Sequence, residues 1–382
     1  MVQIATASEE FEDHHGSHRS LLWAPDESSA YTAQVDAIIV PTIRRPTVLR
    51  HAAEIANALG CTLITLHSGN WTSAREAARQ LPPETKLIAI DVPAHAGSRL
   101  PELETSRLLA NTRFARRSDL SLKRNLGLTF CHMVGWDRIV FLDDDIIVRD
   151  TAHLSRAAGL LNTHHAVGFF INGYPDHSVV CHAYRIAGGS QEAFIGGGAL
   201  AVHVARNSSF FPDIYNDDWF YLLDAKKGLQ PVATTGEVFQ NPYDPFRNPS
   251  RARAEELGDV LAEGAFWLLD QSRPLMDADL RHWGDFLQRR GRFIKHVMSL
   301  VEQADIEAGE KERMMVALKA STGRLARITP ELCRDYLRAF ATDREGWRDH
   351  VDHLRGGQSI WSALGSLLGP ERDQFDVVVR NG

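Results

Sequence analysis

The sequence predicts an α/β protein in which a mostly parallel sheet carries helices on both faces. Between residues 36 and 142, short apolar runs alternate with segments whose apolar residues recur at helical spacing. That alternation is typical of parallel strands joined by helices. The apolar runs are continuous, as expected of strands that are buried on both faces. After about residue 250 helical periodicity alone remains, so a C-terminal helical region is predicted there.

The elements are predicted in chain order from these runs and from their boundary residues. Strands are predicted at 37–41, 61–66, 86–92 and 138–142. Helices are predicted after Pro46, after Thr72 or Ser73, over 118–134, 253–270 and 279–320, and after Thr329. Gly60 ends the first helix, and Pro330 suits the first position of the last one. Three regions follow: an N-terminal extension at 1–35, an α/β domain at 36–250 and the helical region at 251–382.

The composition of the chain argues against several classes of protein. Apolar residues make up 44% of the 382 residues, which is enough for a sizeable core and argues against a disordered chain. The net charge of −7 argues against a dedicated binder of nucleic acid or of anionic membranes. No run approaches the ~20 apolar residues that a membrane-spanning helix needs, so no transmembrane segment is expected.

The cysteines and the N-terminal residues indicate the expected compartment. Cys61, Cys131, Cys181 and Cys333 show no CxxC spacing, which argues against a zinc knuckle or a redox pair. The first thirty residues hold no apolar stretch of a secretory signal. We therefore expect a reducing, cytoplasmic setting. The histidines at 14, 15 and 18 could catch a metal, but a mobile polar tail is the preferred interpretation.

Three consecutive carboxylates follow the fourth strand: Asp143, Asp144 and Asp145. Such neighbours repel one another unless a cation or solvent absorbs the charge. Side chains alternate along an extended chain, so Asp143 and Asp145 lie on one side, where they could bind one divalent ion and a phosphate-bearing ligand. Oxygen ligands favour Mg²⁺ or Mn²⁺, and ligands of open α/β sheets bind beyond the carboxyl ends of strands. The alternative interpretation is a solvated turn.

Two further patterns lie downstream of the acidic triplet. Gly196, Gly197 and Gly198 precede an apolar run, and glycines there let the backbone approach a ligand closely. Asp217 and Asp218 then precede Trp219 and a helix-like stretch. A carboxylate at a helix N-terminus is held ionised and can accept a proton. The alternative is plain helix capping by Asn216 or Asp217.

Together these pieces resemble a GT-A glycosyltransferase, nearest to the family 2 type, over residues 36 to about 245. The first strand ends in Val40-Pro41-Thr42, and residues 123–127 (KRNLG) are similar to the family's Arg-Asn-x-Gly helix. The acidic triplet is similar to its DxD motif, and residues 217–219 (DDW) to its Glu-Asp-x motif. The resemblance implies a GT-A fold, which is a Rossmann-like fold of nucleotide-diphospho-sugar transferases with a mixed, mostly parallel sheet.

The resemblance also implies a metal-dependent enzyme that moves a sugar from a nucleotide-sugar donor to an acceptor hydroxyl. Asp145, with Asp143, would coordinate Mn²⁺ or Mg²⁺ at the donor diphosphate. Asp218, beside Asp217, would be the base of an inverting reaction. The glycines at 196–198 and Trp219 would border the acceptor. The remaining donor-binding candidates are Pro41, Thr42, Arg44, His67, Arg124 and Asp144.

The chain also departs from the family pattern. His67 stands where the family often has an acidic residue that contacts the base, so UDP-sugar and GDP-sugar donors both stay open. His282 is the first candidate for the late histidine that many GT-A enzymes use as a further metal ligand. The acceptor is unknown, and a homodimer is expected only from the general prevalence of two-fold symmetry.

Three alternative functions stay open. The first is a retaining GT-A transferase. The second is a haloacid-dehalogenase-type phosphatase with Asp143 as nucleophile, although Ile147 stands where that family has Thr or Val. The third is a donor-binding or scaffold protein without turnover, and the acidic residues at both sites argue against it.

Overall fold

The structure is a computed structural model. It describes residues 18–24, 31–92, 99–116, 118–174, 178–190, 195–206, 208–224, 228–369 and 376–381. The histidines at 14 and 15, and most of the predicted N-terminal extension, lie outside the described residues.

A large mixed sheet forms the centre of the described chain. Its strands are β1 (Ala37–Thr42), β2 (Thr62–His67), β3 (Leu87–Asp91), β4 (Arg138–Leu142), β5 (Ile146–Ile147), β6 (Ala166–Gly173), β7 (Ala199–His203), β10 (Val232–Gln240) and β11 (Val377–Arg380). Their order across the sheet is β11-β3-β2-β1-β4-β7-β6-β10-β5. The strands β3-β2-β1-β4 are mutually parallel, whereas β7 runs antiparallel to both of its neighbours. Strands β8 (Leu223–Asp224) and β9 (Gly228–Leu229) pair separately.

Helices cover both faces of the sheet. They are α1 (Arg50–Leu59), α2 (Ala74–Gln80), α3 (Glu104–Ala110), α4 (Leu120–Val134), α5 (Ala152–Leu160), α6 (Val179–Ile186), α7 (Asp217–Leu222), α8 (Pro249–Asp270), α9 (Leu280–Gln303), α10 (Ala308–Leu325), α11 (Pro330–His353) and α12 (Ile360–Leu368). The predicted α/β class with a mixed, mostly parallel sheet is therefore confirmed. None of these described helices combines the length and the apolar character that crossing a membrane requires.

Alternation along the buried strands divides the core between the two faces of the sheet. Ile39 and Phe141 belong to one apolar cluster, which continues into α4 and the C-terminal helices. Ile38 and Val140 belong to the other, which includes residues of α1, α2 and α5. Apolar residues are buried on both faces, which explains why the strands are continuous apolar runs in the sequence.

The predicted boundaries agree closely with the structure in the first half of the chain. All four predicted strands and the helix after Pro46 are present, and a short 3-10 turn at Pro46–Leu49 precedes α1. Gly60 ends α1 at a φ of 66°, and the hydroxyl of Ser73 caps α2. These elements are encoded locally, by periodicity and by their boundary residues.

The last third differs from the prediction in two ways. The helix predicted over 279–320 is two helices: α9 ends at Gln303, and Glu307 caps the start of α10 by accepting from the N–H of Glu310 at 2.9 Å. The chain also ends in strand β11, which pairs antiparallel with β3. The region 251–382 is therefore not purely helical, and its core is continuous with that of the α/β part.

The N-terminal residues that the structure describes are packed against the domain. Residues Arg19–Leu21 form a 3-10 turn, and Trp23 makes a parallel bridge to Ala233 of β10. His18 is only 1% exposed. The prediction of a mobile tail is therefore wrong for His18, because two carboxylates of α8 bind its ring.

Candidate active site

A cleft of about 1820 Å³ opens at the carboxyl ends of β1 and β4. Nearly all of the residues that the sequence analysis selected line it. The lining residues include Pro41, Thr42, Arg44, Arg124, Asp143, Asp144, Asp145, Gly196, Gly197, Gly198, Asp217, Asp218 and Trp219. Topology explains the convergence, because neighbouring parallel strands deliver their carboxyl ends to one edge of the sheet.

The acidic triplet forms the turn between β4 and β5, and arginines rather than bulk solvent balance its charge. Arg44, which is half exposed, contacts Asp144 at 2.8 Å and Asp145 at 3.0 Å. The hydroxyl of Thr42 donates to Asp144 at 2.5 Å. Burial raises the pKa of Asp144, and Thr42 and Arg44 oppose that rise. The alternative interpretation was a solvated turn. The segment is indeed a turn, but its carboxylates pair with arginines.

Arg124 of α4 joins the two acidic motifs. Its guanidinium is 3% exposed and donates to Asp217 at 2.8 Å and to Asp143 at 3.3 Å. Ser121 donates a further hydrogen bond to Asp217 at 2.9 Å. A buried cation between carboxylates of both motifs holds them together electrostatically. Arg124 was predicted to bind the donor, and it lines the cleft while serving this bridging role.

The polar residues next to Arg124 on α4 each make a contact that stabilises the fold. Lys123 is buried and donates to the carbonyl of Thr42 at 3.0 Å, so it supports the end of β1. The side-chain amide of Asn125 exchanges two hydrogen bonds with the backbone of Phe211, each of 2.8 Å. Gly127 lies against β1, where an added Cβ would meet Ile39 at 2.9 Å. The motif therefore packs α4 tightly beneath the cleft.

Asp218 is held at the start of α7 with its carboxylate in the cleft wall. It accepts hydrogen bonds from the N–H of Gly197 and, at 2.9 Å, from the N–H of Trp219. Burial, reinforced by the charge of Asp217, raises the pKa of Asp218 to about 7, although Arg124 and the two N–H groups oppose the rise. A carboxylate with a pKa near neutrality is suited to take up a proton at physiological pH.

The close packing of Asp218 and Arg124 against the loop explains why glycine stands at position 197. An added Cβ at position 197 would lie 2.8 Å from the Cβ of Asp218 and 2.9 Å from the guanidinium of Arg124. Only glycine lets the loop approach both side chains. The alternative of plain capping is wrong for Asn216, which enters α7 at a φ of 63° without a side-chain cap. Asp217 does accept from the N–H of Asp218 at 3.1 Å, but this is not its only contact. Asp217 also pairs with Arg124.

Two of the predicted site residues lie elsewhere. His67 is fully buried, and its ring nitrogens bond Thr72 at 2.7 Å and Thr65 at 2.8 Å. Burial, with a contribution from Lys123, lowers the pKa of His67 to about 4. The predicted donor contact of His67 is therefore wrong: its side chain points into the domain interior, because it belongs to the last position of a strand buried on both faces.

His282 is likewise not a metal ligand at this site. It is buried in the helical region, where Nε2 bonds the carbonyl of Gly264 at 2.9 Å and the ring stacks on Trp267 at 5.4 Å. It does not line the cleft.

Helix α8 supplies the wall of the cleft that the sequence analysis missed. Arg251, Glu255, Asp259 and Glu263 recur at four-residue spacing on one face and line the cleft. Burial raises the pKa of Glu255 to about 7, although Arg251 and the N–H of Val179 bind its carboxylate. The signal was present in the sequence as a polar stripe, but such a stripe on a helix usually faces solvent.

The residues at the triplet fit a hard divalent cation as partial ligands. The available donors are carboxylate oxygens, which suit Mg²⁺ and Mn²⁺. Among the residues that the structure describes, no group of three or more His, Cys, Asp or Glu side chains is arranged to hold a metal ion. Asp143 and Asp145 would therefore bind the cation together with oxygens of a phosphate ligand, as Mg²⁺ sites with one or two carboxylates do.

Comparison of the chain with protein-family models and with curated proteins found no match. The chemistry of the cleft is therefore inferred from its own residues.

Proposed function

We propose that the protein is a metal-dependent glycosyltransferase that uses a UDP-sugar or GDP-sugar donor, with Asp218 as the base of an inverting reaction. The observation that carries the proposal is the bridge made by Arg124. In one cleft at the carboxyl edge of the sheet, Arg124 joins Asp143 of the acidic triplet to Asp217. The next residue, Asp218, lies in the same cleft and has its pKa raised to about 7. A phosphate-binding end and a proton-accepting end are thus brought together.

The donor occupies the end of the cleft formed by β1 and the triplet. Thr42 and Arg44 line that end, and Ser68, Gly69 and Asn70 border it after β2. Arg44 is half exposed, so its guanidinium can turn towards a phosphate, for which its planar donors are suited. A cation bound at Asp143 and Asp145 would act as a Lewis acid on the leaving diphosphate.

The acceptor occupies the end formed by the glycine loop, α7 and α8. Asp218 takes the proton of the acceptor hydroxyl while the hydroxyl oxygen attacks the anomeric carbon. The bond from that carbon to the diphosphate oxygen breaks, and the bonding electrons leave with the nucleoside diphosphate. Attack from the face opposite the leaving group inverts the anomeric configuration.

Calorimetry with UDP and with GDP, each with and without Mn²⁺, tests the donor half of the proposal. We expect one nucleotide to bind more tightly when Mn²⁺ is present, and Asp145→Asn to remove that difference. Absence of metal-dependent binding for both nucleotides would overturn the proposal.

Asp218→Asn tests the catalytic half. This variant should bind the nucleotide as the wild-type protein does and lose transfer, including hydrolysis of UDP-glucose or GDP-mannose with water as acceptor. Retained turnover would place the base elsewhere. NMR of the first-formed anomer distinguishes inversion from retention.

A further inference from the structure

His18 occupies a buried position between the N-terminal segment and two helices of the cleft wall. Its Nε2 lies 3.2 Å from the carboxylate of Glu263, and its Nδ1 bonds the carboxylate of Asp270. Both acids belong to α8, and Glu263 lines the cleft. A residue distant in sequence thus reaches the wall that holds the candidate base.

The ring of His18 also packs against Trp219. Its edge meets the indole with centroids 5.3 Å apart and planes at 89°, and Phe266 completes a three-ring cluster with centroids 4.9 Å from Trp219 and 5.4 Å from His18. The indole N–H of Trp219 donates to the carbonyl of Ile195, at the start of the glycine loop, at 3.1 Å. Its backbone N–H donates to Asp218. Trp219 therefore connects His18 to both the base and the loop.

The surroundings of His18 favour its charged form. Among the described residues, the carboxylates of Glu263 and Asp270 of α8 face it, and the rings of Phe266 and Trp219 pack against it. Ser20 donates to Asp270 at 3.1 Å, which holds that carboxylate in place. Burial alone would lower the pKa of His18, but the hydrogen bonds and charges of both acids outweigh it and raise the pKa to about 9.

We propose that His18 is a positioning residue: as an imidazolium clamped between Glu263 and Asp270, it holds the indole of Trp219 at the acceptor end of the cleft. The consequence for transfer rests on the proposed function, whereas the coupling of His18 to Trp219 rests on the contacts alone. Loss of the charge frees the two acids from their shared cation and loosens the ring cluster. The base and the glycine loop then lose a common support.

Fluorine NMR of protein labelled with 5-fluorotryptophan measures the coupling directly. The resonance of Trp219, assigned with Trp219→Phe, should titrate in two steps. The first lies near pH 7 and comes from Asp218, and the second lies near pH 9 and comes from His18. His18→Gln should remove only the second step, and Asp218→Asn only the first.

Two further variants test whether the second step comes from His18. Glu263→Gln keeps His18 but removes one of its acids, so the second step should move to lower pH. This variant also serves if His18→Gln does not fold. His164→Gln is the matched control, because His164 stacks on Trp23 of the same segment, with centroids 4.8 Å apart. It should leave both steps unchanged. A single step in the wild type, or a second step that survives in His18→Gln, overturns the proposal.

Activity supplies the second readout. His18→Gln should bind UDP and GDP with Mn²⁺ within about twofold of wild type and hydrolyse UDP-glucose or GDP-mannose roughly tenfold more slowly, because a base that is slightly misplaced loses much of its rate. Equal hydrolysis rates would overturn the positioning role. If the wild type hydrolyses neither donor and binds neither UDP nor GDP with Mn²⁺, the proposed function fails, while the titration of Trp219 still decides the coupling.

Discussion

Replacing Arg124 with Met tests the electrostatic bridge on which the site depends. The guanidinium is 3% exposed and contacts Asp217 at 2.8 Å and Asp143 at 3.3 Å, and the side chain of Asp217 is 6% exposed. Removing one partner of a buried ion pair leaves an uncompensated buried charge and costs about 3–5 kcal/mol of stability. We expect a loss of that size in the free energy of unfolding, measured by urea titration followed by tryptophan fluorescence.

The matched control is Arg75→Met. Arg75 pairs with Asp376 at 2.9 Å, but these side chains are 65% and 53% exposed, so the loss should stay below about 1 kcal/mol. The double variant Arg124→Met with Asp217→Asn should recover much of the stability, because the unpaired charge is gone. A loss below about 1 kcal/mol for Arg124→Met, or a double variant no more stable than the single one, would refute the reasoning.

Three further predictions concern the base, the triplet and the end of the chain. Turnover should rise with pH through about 7, because Asp218, the proposed base, can accept a proton only when it is ionised. A flat pH–rate profile would contradict this. Arg44→Ala should tighten nucleotide-free Mn²⁺ binding about fivefold in calorimetry, since it removes a competing cation from Asp144 and Asp145; weaker binding would contradict it. Arg380→Ala should lower stability in urea by about 1–3 kcal/mol, because its guanidinium donates to the backbone carbonyls of Ala78, Pro82 and Thr85. An unchanged midpoint would show that β11 contributes little.

Local signals in the sequence were sufficient for most of the fold's first half. A continuous apolar run marks a strand buried on both faces wherever it occurs, and Gly60 or Ser73 ends or begins a helix through its own backbone or side chain. Strand β11 is not predicted from the sequence because it has only four residues. It forms a strand by pairing with β3, which lies in the first third of the sequence. No local pattern encodes such a partner.

Some residues of the candidate site could likewise be predicted from the sequence, and others could not. Asp143 and Asp145 are predicted from the sequence because adjacent carboxylates after an apolar run are costly and therefore conspicuous. Asp217 and Asp218 are predicted because they precede a helix-like stretch. His67 was assigned wrongly because position in a motif does not tell which way a side chain points. That direction depends on the strands packed around it.

By itself, then, the sequence determined the class of fold, the order of its elements in the first half and the acids of the cleft, because these follow from periodicity and from the chemistry of neighbouring residues. The tertiary structure alone decided which groups contact one another. It placed Arg124 between two acidic motifs, α8 along the far wall of the cleft and His18 against Trp219. The physical reason is that burial and pairing set the charge and orientation of these groups. Both arise from contacts between segments that only folding brings together.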